Sequence, residues 1–358
     1  LNSPEYIQTS LAAAMSLGFV SGSFKYPVRL TGLNLLLTYD QGCLGKCAYC
    51  GIAGLRHDET KNQNTKNTKK TFIRVKWPVY RTYDVLNALK AHESSFERIC
   101  LSMITHADAI KDTIEISEKI KQFSSLPLSL LITPSLIGSP ETLRQFKAAG
   151  AEMVGIAIDA STKDLFEKYR GAGVCGPHKW QKYWEVLEWA VDVFGRFKAG
   201  IHLIVGLGET EEQAVKIIHD AHLLGAKTHL FSFYPEPSSK LEELERPGLV
   251  SYRKIQIARY LINEKGLEIS KIRFGPDSNG KGSGRILSFD YDLAEVLKEG
   301  YAFMTSGCPC SSDSRISACN RPFANERPSE TFRNYPYPPN EEDKKTIASQ
   351  ISELLLTV

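Results

Sequence analysis

No run of apolar residues in this chain reaches the roughly 18 needed to cross a bilayer as a helix. The best candidate, Leu11–Val20, is shorter than that and rich in small residues. A membrane partner is therefore not expected, and the chain reads as cytoplasmic. Charge of one sign is also missing: 44 lysines and arginines stand against 41 aspartates and glutamates, a formal net charge of +3. Such a small, dispersed excess gives no reason to expect nucleic acid or an anionic surface as a partner. There is no internal repeat of fixed period, no second CxxC pair, and no cysteine before position 43. What is present, 358 residues with 42% hydrophobic and 24% charged, is enough for one large α/β domain with an appendage and argues against overall disorder.

Short apolar runs alternate with helical patterns. Strands are predicted at Leu33–Leu37, Arg98–Ile104, Leu128–Ile132, Met153–Ile158, Ile201–Val205 and Thr228–Phe233, with Ile269–Phe274 as a seventh candidate. Between them, Ser139-Pro140-Glu141 has the cap and first-turn proline of a helix start, with Gly150 stopping that helix. Thr210 to Gln213 is a capping box, and Gly225 closes its helix. Repeated βα units with strands too apolar for one wet face imply a parallel sheet curled as a full or partial barrel. Catalytic groups then belong at the C-terminal ends of the strands.

Directly after the first of those strands comes Cys43-Leu-Gly-Lys-Cys47-Ala-Tyr49-Cys50, a CxxxCxxC. Three thiolates can hold three irons of a 4Fe–4S cubane and leave the fourth iron open. The competing readings are a structural zinc site or a reactive dithiol. Zinc usually draws paired CxxC units closed by a nearby fourth ligand, and none is visible here. The eight cysteines, three at this spacing and three more between 308 and 319, suit metal binding in a reducing compartment better than disulfides.

With its aromatic residue before the last cysteine, this motif resembles the radical SAM superfamily. The resemblance implies a partial (β/α)6 barrel, a SAM-binding 4Fe–4S cluster on Cys43, Cys47 and Cys50, and S-adenosylmethionine cleaved to a 5′-deoxyadenosyl radical. Gly200 to Thr210, a strand ending in two glycines before a capped helix, could be an ordinary strand-to-helix turn. It also resembles the SAM-binding strand of biotin synthase, which would give Ile204, Gly206 and Gly208 to the adenosine pocket. By the same resemblance Ser102, Met103 and Thr105 occupy the place of the methionine-amino contacts, although the usual Gly-Gly-Glu is absent. Tyr49, Asp159 and Arg170 become polar SAM contacts, with helix capping as the alternative for Asp159. Tyr234, in Phe231-Ser-Phe-Tyr-Pro235, is placed to pack on adenine, or to serve the core. Gly275 to Lys281 matches all but the last position of a phosphate-binding loop. Gly282 replaces the hydroxyl residue, so a turn is expected there, with Arg273 before it pointing into the barrel mouth.

The chain divides into an extension (1–29), a barrel (30–287) and an irregular, proline-rich C-terminal extension (288–358) that wraps the barrel and ends in a helix capped by Asn340. Lys61–Lys70 is polar and basic and reads as a surface loop. Cys308, Cys310 and Cys319 are metal ligands of a second iron–sulfur cluster, or incidental. Cys100 lies where biotin synthase would have an auxiliary ligand, but its companions on the next strands are missing. The tail, with Thr305-Ser-Gly-Cys-Pro and Cys319-Asn-Arg-Pro-Phe, resembles the divergent two-protein lipoyl synthases. That implies sulfur insertion into an octanoyl chain on a carrier protein (a lipoyl domain or the glycine cleavage H protein), a second radical SAM subunit, and ferredoxin or flavodoxin as electron donor. The alternatives are a mutase or maturase resembling methylornithine synthase or the hydrogenase-maturation enzyme, a biotin synthase-like enzyme, and an iron–sulfur scaffold without turnover.

Overall fold

The computed structural model describes residues 1–26, 28–54, 74–237, 239–276, 284–320, 326 and 329–355. The basic run Lys61–Lys70 and most of the glycine turn from 275 lie outside them. The chain opens with β1 (Tyr6–Thr9), α1 (Leu11–Ser16), β2 (Gly32–Leu37), α2 (Gly51–Gly54), β3 (Val79–Arg81) and α3 (Thr82–His92). A regular alternation follows: β4 (Arg98–Ser102), α4 (Ala109–Phe123), β5 (Leu128–Ile132), α5 (Pro140–Ala148), β6 (Ala151–Asp159), α6 (Lys163–Tyr169), α7 (Trp180–Phe194), β7 (Ala199–Val205), α8 (Glu211–Leu224), β8 (Ala226–Ser232) and α9 (Leu249–Lys265). Last come β9 (Ile272–Gly275), β10 (Arg285–Phe289), α10 (Leu293–Glu299), α11 (Glu341–Gln350) and α12 (Ser352–Leu355).

The order β2-β4-β5-β6-β7-β8 is parallel throughout, the (β/α)6 partial barrel. β2 is buried at every position, as a strand covered on both faces should be, and so it carries no alternation. α8 begins with the Thr210–Gln213 capping box and ends at Gly225 in the left-handed region. At its leading edge the sheet is larger than the sequence suggested. β1 pairs antiparallel with β2 and β3 with β1, making eight strands. Both are short, and the free edge of β2, rather than any period of their own, makes them strands. The seventh candidate, Ile269–Phe274, is not a barrel strand. Ile269–Lys271 is a single 3-10 turn, and among the described residues β9 pairs only with β10, in a separate two-stranded sheet.

Beyond β10 the chain passes twice against the barrel. Residues 304–320 cross its floor, at the N-terminal ends of the strands: Thr31 N–H donates to Asn320 Oδ1 at 3.0 Å, and Arg98 Nε donates to the Pro309 carbonyl at 2.9 Å. Residues 329–337 then lie against α9. Proline-rich backbone has carbonyls to satisfy and few N–H groups to offer. Arg253 Nη1 donates to Arg333 O at 2.7 Å, Gln256 Nε2 donates to the same oxygen at 2.9 Å, and Tyr252 Oη donates to Asn334 Oδ1 at 2.9 Å. Asn340 caps α11 through a capping box, and Ile347, Ile351 and Leu354 are buried.

Candidate active site

The loop after β2 carries Cys43, Cys47 and Cys50 to the C-terminal end of the strands, where all three line a cavity of about 270 Å³ inside the barrel. The backbone orients the first thiol: Gly45 N–H and Thr105 N–H point at Cys43 Sγ at 3.3 and 3.4 Å, and Leu44 N–H donates to Thr105 O at 2.9 Å. N–H groups aimed at sulfur tune an iron–sulfur centre. Burial pushes the Cys47 thiol up to about 11 and Cys50 higher still, so these thiols ionise readily only when a metal takes the place of the proton. Among the described residues no three His, Cys, Asp or Glu side chains stand at the spacing of a single ion. The zinc reading thus gains nothing from the structure.

A second observation bears on whether a cluster fits there. A Cβ on Gly45 would lie 3.1 Å from His178 Nε2, 3.2 Å from Cys43 Sγ and 3.2 Å from Thr105 Oγ1. His178 Nε2 is buried with no hydrogen-bond partner among the described residues. Two polar atoms and a thiol therefore face one small space beside the loop, as a cradle for a cluster with its ligand would require.

Below the loop a polar chain ties the cysteines to the barrel. Tyr49 Oη donates to Asp159 Oδ2 at 2.6 Å, and Arg170 ion-pairs with the same carboxylate while donating to Tyr49 Oη at 2.7 Å. Arg170 also donates to Tyr183 Oη from Nη2 at 2.9 Å, and Tyr183 Oη meets His178 Nδ1 at 2.9 Å. Burial opposes the Arg170 charge, but Cys47, Tyr183, Tyr49 and Asp159 outweigh it and hold its pKa well up. Burial, then Arg170, drives His178 down to about 2, so its ring is neutral. Asp159 does not cap α6, since Thr162 does so by accepting from Leu165 N–H. Its own φ is +66°, a left-handed conformation unusual for a side chain that is not glycine.

Of the other residues singled out in the sequence, Ser102, Met103, Thr105, Ile204 and Tyr234 line the same cavity, as do Tyr49, Asp159 and Arg170. Gly206 and Gly208 do not line it. Both have positive φ, +112° and +115°, and the turn closes on Glu209, whose carboxylate accepts from Gly206 N–H at 2.6 Å and Leu207 N–H at 3.0 Å. Glycine is needed there for conformation, and at Gly206 also because a Cβ would stand 2.6 Å from Pro247 Cδ. Phe233 is core, and Tyr234 is half-buried at the cavity edge with the Arg74 guanidinium 3.8 Å above its ring. Arg273, expected at the mouth, is exposed on β9 and does not line the cavity.

The tail cysteines separate. Cys319 lines the cavity from the floor, as does Cys100 on β4. Cys308 hydrogen-bonds with Ser129, which stands opposite Cys100 in the β4–β5 register, and it feels the charge of Cys319. Ala318 N–H donates to Cys308 O at 2.9 Å, which brings the two ends of the loop together. Cys310 does not join them. It sits among Glu97, Arg29 and Asp313, where burial and then Glu97 push it up to about 11.

His178, Tyr183, Arg74 and Arg246 were not singled out in the sequence. His178 lies in Gly176-Pro-His-Lys, a loop with no periodicity to mark it. The two arginines reach the cavity from segments far from any motif.

A family model described as the radical SAM superfamily matches residues 39–221. No curated protein matches the chain. Among solved structures it is similar to methylornithine synthase, with 14% identity, 69% of this chain and 67% of that one covered, and a TM-score of 0.45. It is similar to HydG, a maturase of the FeFe-hydrogenase, with 12% identity, 70% and 57% covered, and a TM-score of 0.48. It is also similar to coproporphyrinogen III oxidase from Escherichia coli, with 14% identity, 80% and 61% covered, and a TM-score of 0.42. The chain spans about two thirds of the methylornithine synthase chain and less than two thirds of the other two.

Proposed function

The chain belongs to the radical SAM superfamily, and on that premise we propose that it inserts sulfur into an octanoyl chain borne on a lysine of a carrier protein, as one subunit of a two-protein lipoyl synthase. One observation carries the reading: a cavity lined from above by Cys43, Cys47 and Cys50 is lined from below by Cys100 and Cys319, with Cys308 beside them. Cys308 and Cys319, with Cys100, are then the ligands of a second iron–sulfur cluster. Cys310 is outside that set. Cys43, Cys47 and Cys50 would hold a cluster supplying the electron for reductive cleavage of SAM, and Cys100, Cys308 and Cys319 one that would supply sulfide and take up the one electron released when a substrate carbon radical forms its C–S bond.

The chain's own groups aim that chemistry. Tyr49, Asp159 and Arg170 fix the wall beside the cysteine loop. Ser102, Met103, Thr105, Ile204 and Tyr234 border the space left for SAM. An unactivated C–H bond has no acidity for a side-chain base to exploit, so the substrate needs positioning rather than proton transfer. The partners on this reading are an octanoylated lipoyl domain or glycine cleavage H protein, a second radical SAM subunit, and ferredoxin or flavodoxin.

The polar side chains Asn34, Ser102 and His202 in the cavity favour a second reading, a mutase or maturase acting on a small polar molecule. An octanoyl-lysyl peptide deuterated along its chain separates the two. Incubated anaerobically with the reconstituted protein, SAM and reductant, it should pass deuterium into 5′-deoxyadenosine and yield a singly thiolated product, and adding the partner subunit should complete the lipoyl group. Deoxyadenosine without deuterium, with or without the partner, would favour the mutase reading. Replacing Cys43, Cys47 and Cys50 together by Ala should abolish deoxyadenosine, and persistent cleavage would remove both readings.

A further inference from the structure

His178 stands two residues before α7, 2% exposed, with Ser135 Oγ 3.1 Å and Tyr183 Oη 2.9 Å from its Nδ1. Its tautomer follows from the neighbouring donors. Arg170, which can only donate, points Nε and Nη2 at Tyr183 Oη at 3.3 and 2.9 Å. Those bonds take up the oxygen's lone pairs and leave the Tyr183 hydroxyl hydrogen for His178. Nδ1 is therefore an acceptor, and the neutral ring carries its hydrogen on Nε2.

That Nε2–H is buried and meets no acceptor among the described residues. It borders the space beside Gly45 that Cys43 Sγ and Thr105 Oγ1 also border, all within 3.1 to 3.2 Å of one point. A buried donor without an acceptor is costly and rare, so its acceptor is expected to come with the group the loop binds. The Tyr183 and Ser135 contacts on the other nitrogen hold the ring plane, as outer partners do for a metal-site histidine. Glycine at 45 keeps the path open, because a Cβ there would stand between the nitrogen and the sulfur.

We infer that His178 donates its Nε2–H to a sulfur at the Cys43 corner of the cluster and so sets how readily that cluster accepts an electron. It is a positioning and tuning residue, not a catalytic one. A hydrogen bond to sulfur offsets the added negative charge of the reduced cluster and raises its potential. The inference rests on the cluster that family membership implies and is independent of the lipoyl reading.

The test is a redox titration of the reconstituted protein without SAM, followed by electron paramagnetic resonance, in a Cys308→Ala/Cys319→Ala background so that one cluster is read. His178→Phe should disfavour the reduced cluster about tenfold, a fall of about 59 mV for one electron. His178→Gln, which can present an N–H at a similar place, should recover most of that fall. Should the Phe variant not load iron, Tyr183→Phe, which frees the tautomer, should still lower the potential to a smaller extent. A wild-type potential in the iron-loaded variant, or weaker SAM binding with the potential unchanged, overturns the inference, the latter by giving the hydrogen bond to SAM. Absence of iron from the His178-intact protein would instead undo the cluster itself.

Discussion

Tyr49 Oη and Asp159 Oδ2 are joined by a hydrogen bond of 2.6 Å across more than a hundred residues of sequence. It fastens the loop that bears the three cysteines to the end of β6. Because Asp159 is also the counter-charge of buried Arg170, one carboxylate serves both the loop and the barrel wall.

Removing either partner should have unequal effects. Asp159→Ala leaves the Arg170 guanidinium buried without its carboxylate, a change expected to cost about 3–5 kcal/mol in urea unfolding. Tyr49→Phe loses one hydrogen bond and keeps the ion pair, so about 1 kcal/mol is expected. Equal losses in the two variants would show that the ion pair contributes little.

Gly206 tests the role of the glycine-rich turn. Gly206→Ala places a methyl 2.6 Å from Pro247 at a φ of +112°, and a loss of about 1–3 kcal/mol is expected. SAM affinity of the folded fraction, measured by equilibrium dialysis, should change less than twofold, because Gly206 does not line the cavity. A tenfold weaker affinity at unchanged stability would give the glycine to the ligand instead.

Glu326 gives a pH signature. Burial raises its carboxyl to about 7, against the backbone N–H groups of Arg333 and Asn334, which lower it. The folded chain therefore holds this proton more tightly than the unfolded chain, and the stability it contributes is full below the ordinary carboxyl pKa and lost as pH rises through about 7. Denaturant melts should show stability falling by at most about 3 kcal/mol between pH 4.5 and 7 from this group. Glu326→Gln should flatten that slope, and a slope unchanged in the variant would assign it elsewhere.

Arg253 is fully buried and bonds Arg333 O, Phe332 O and Gln350 Oε1. Arg253→Met should cost about 3 kcal/mol or more, since several buried acceptors lose a charged donor together. Limited proteolysis after residue 329 should speed up in parallel. An unchanged digestion rate would mean that the strap is held by its aromatic contacts.

How much of this was legible follows from which signals are local. The six parallel strands announced themselves because strands covered on both faces are apolar throughout, and the helix ends at Thr210 and Asn340 because a capping box spans only four residues. The Cys43–Cys50 loop was legible for the same reason. Strands β1 and β3 were not, because pairing with β2 makes them strands. Nor was the difference between Cys308 and Cys310: two residues apart in sequence, one turns to Ser129 under the barrel and the other to Glu97 outside it. His178 stayed hidden because its meaning depends on Tyr183, Ser135 and Gly45, which only the closed barrel assembles.

The strap over α9 also bears on the order in which the molecule can be completed. Tyr252, Arg253 and Gln256 find most of their partners among residues 332–350. A ribosome releases α9 well before those partners exist. Until then the helix offers a polar face with nothing to bind it, so the barrel wall matures only after synthesis has moved some eighty to a hundred residues further on. Through that interval the growing chain lacks the floor supplied by residues 304–320 as well, and the N-terminal ends of β2 and β4 stay uncovered by it.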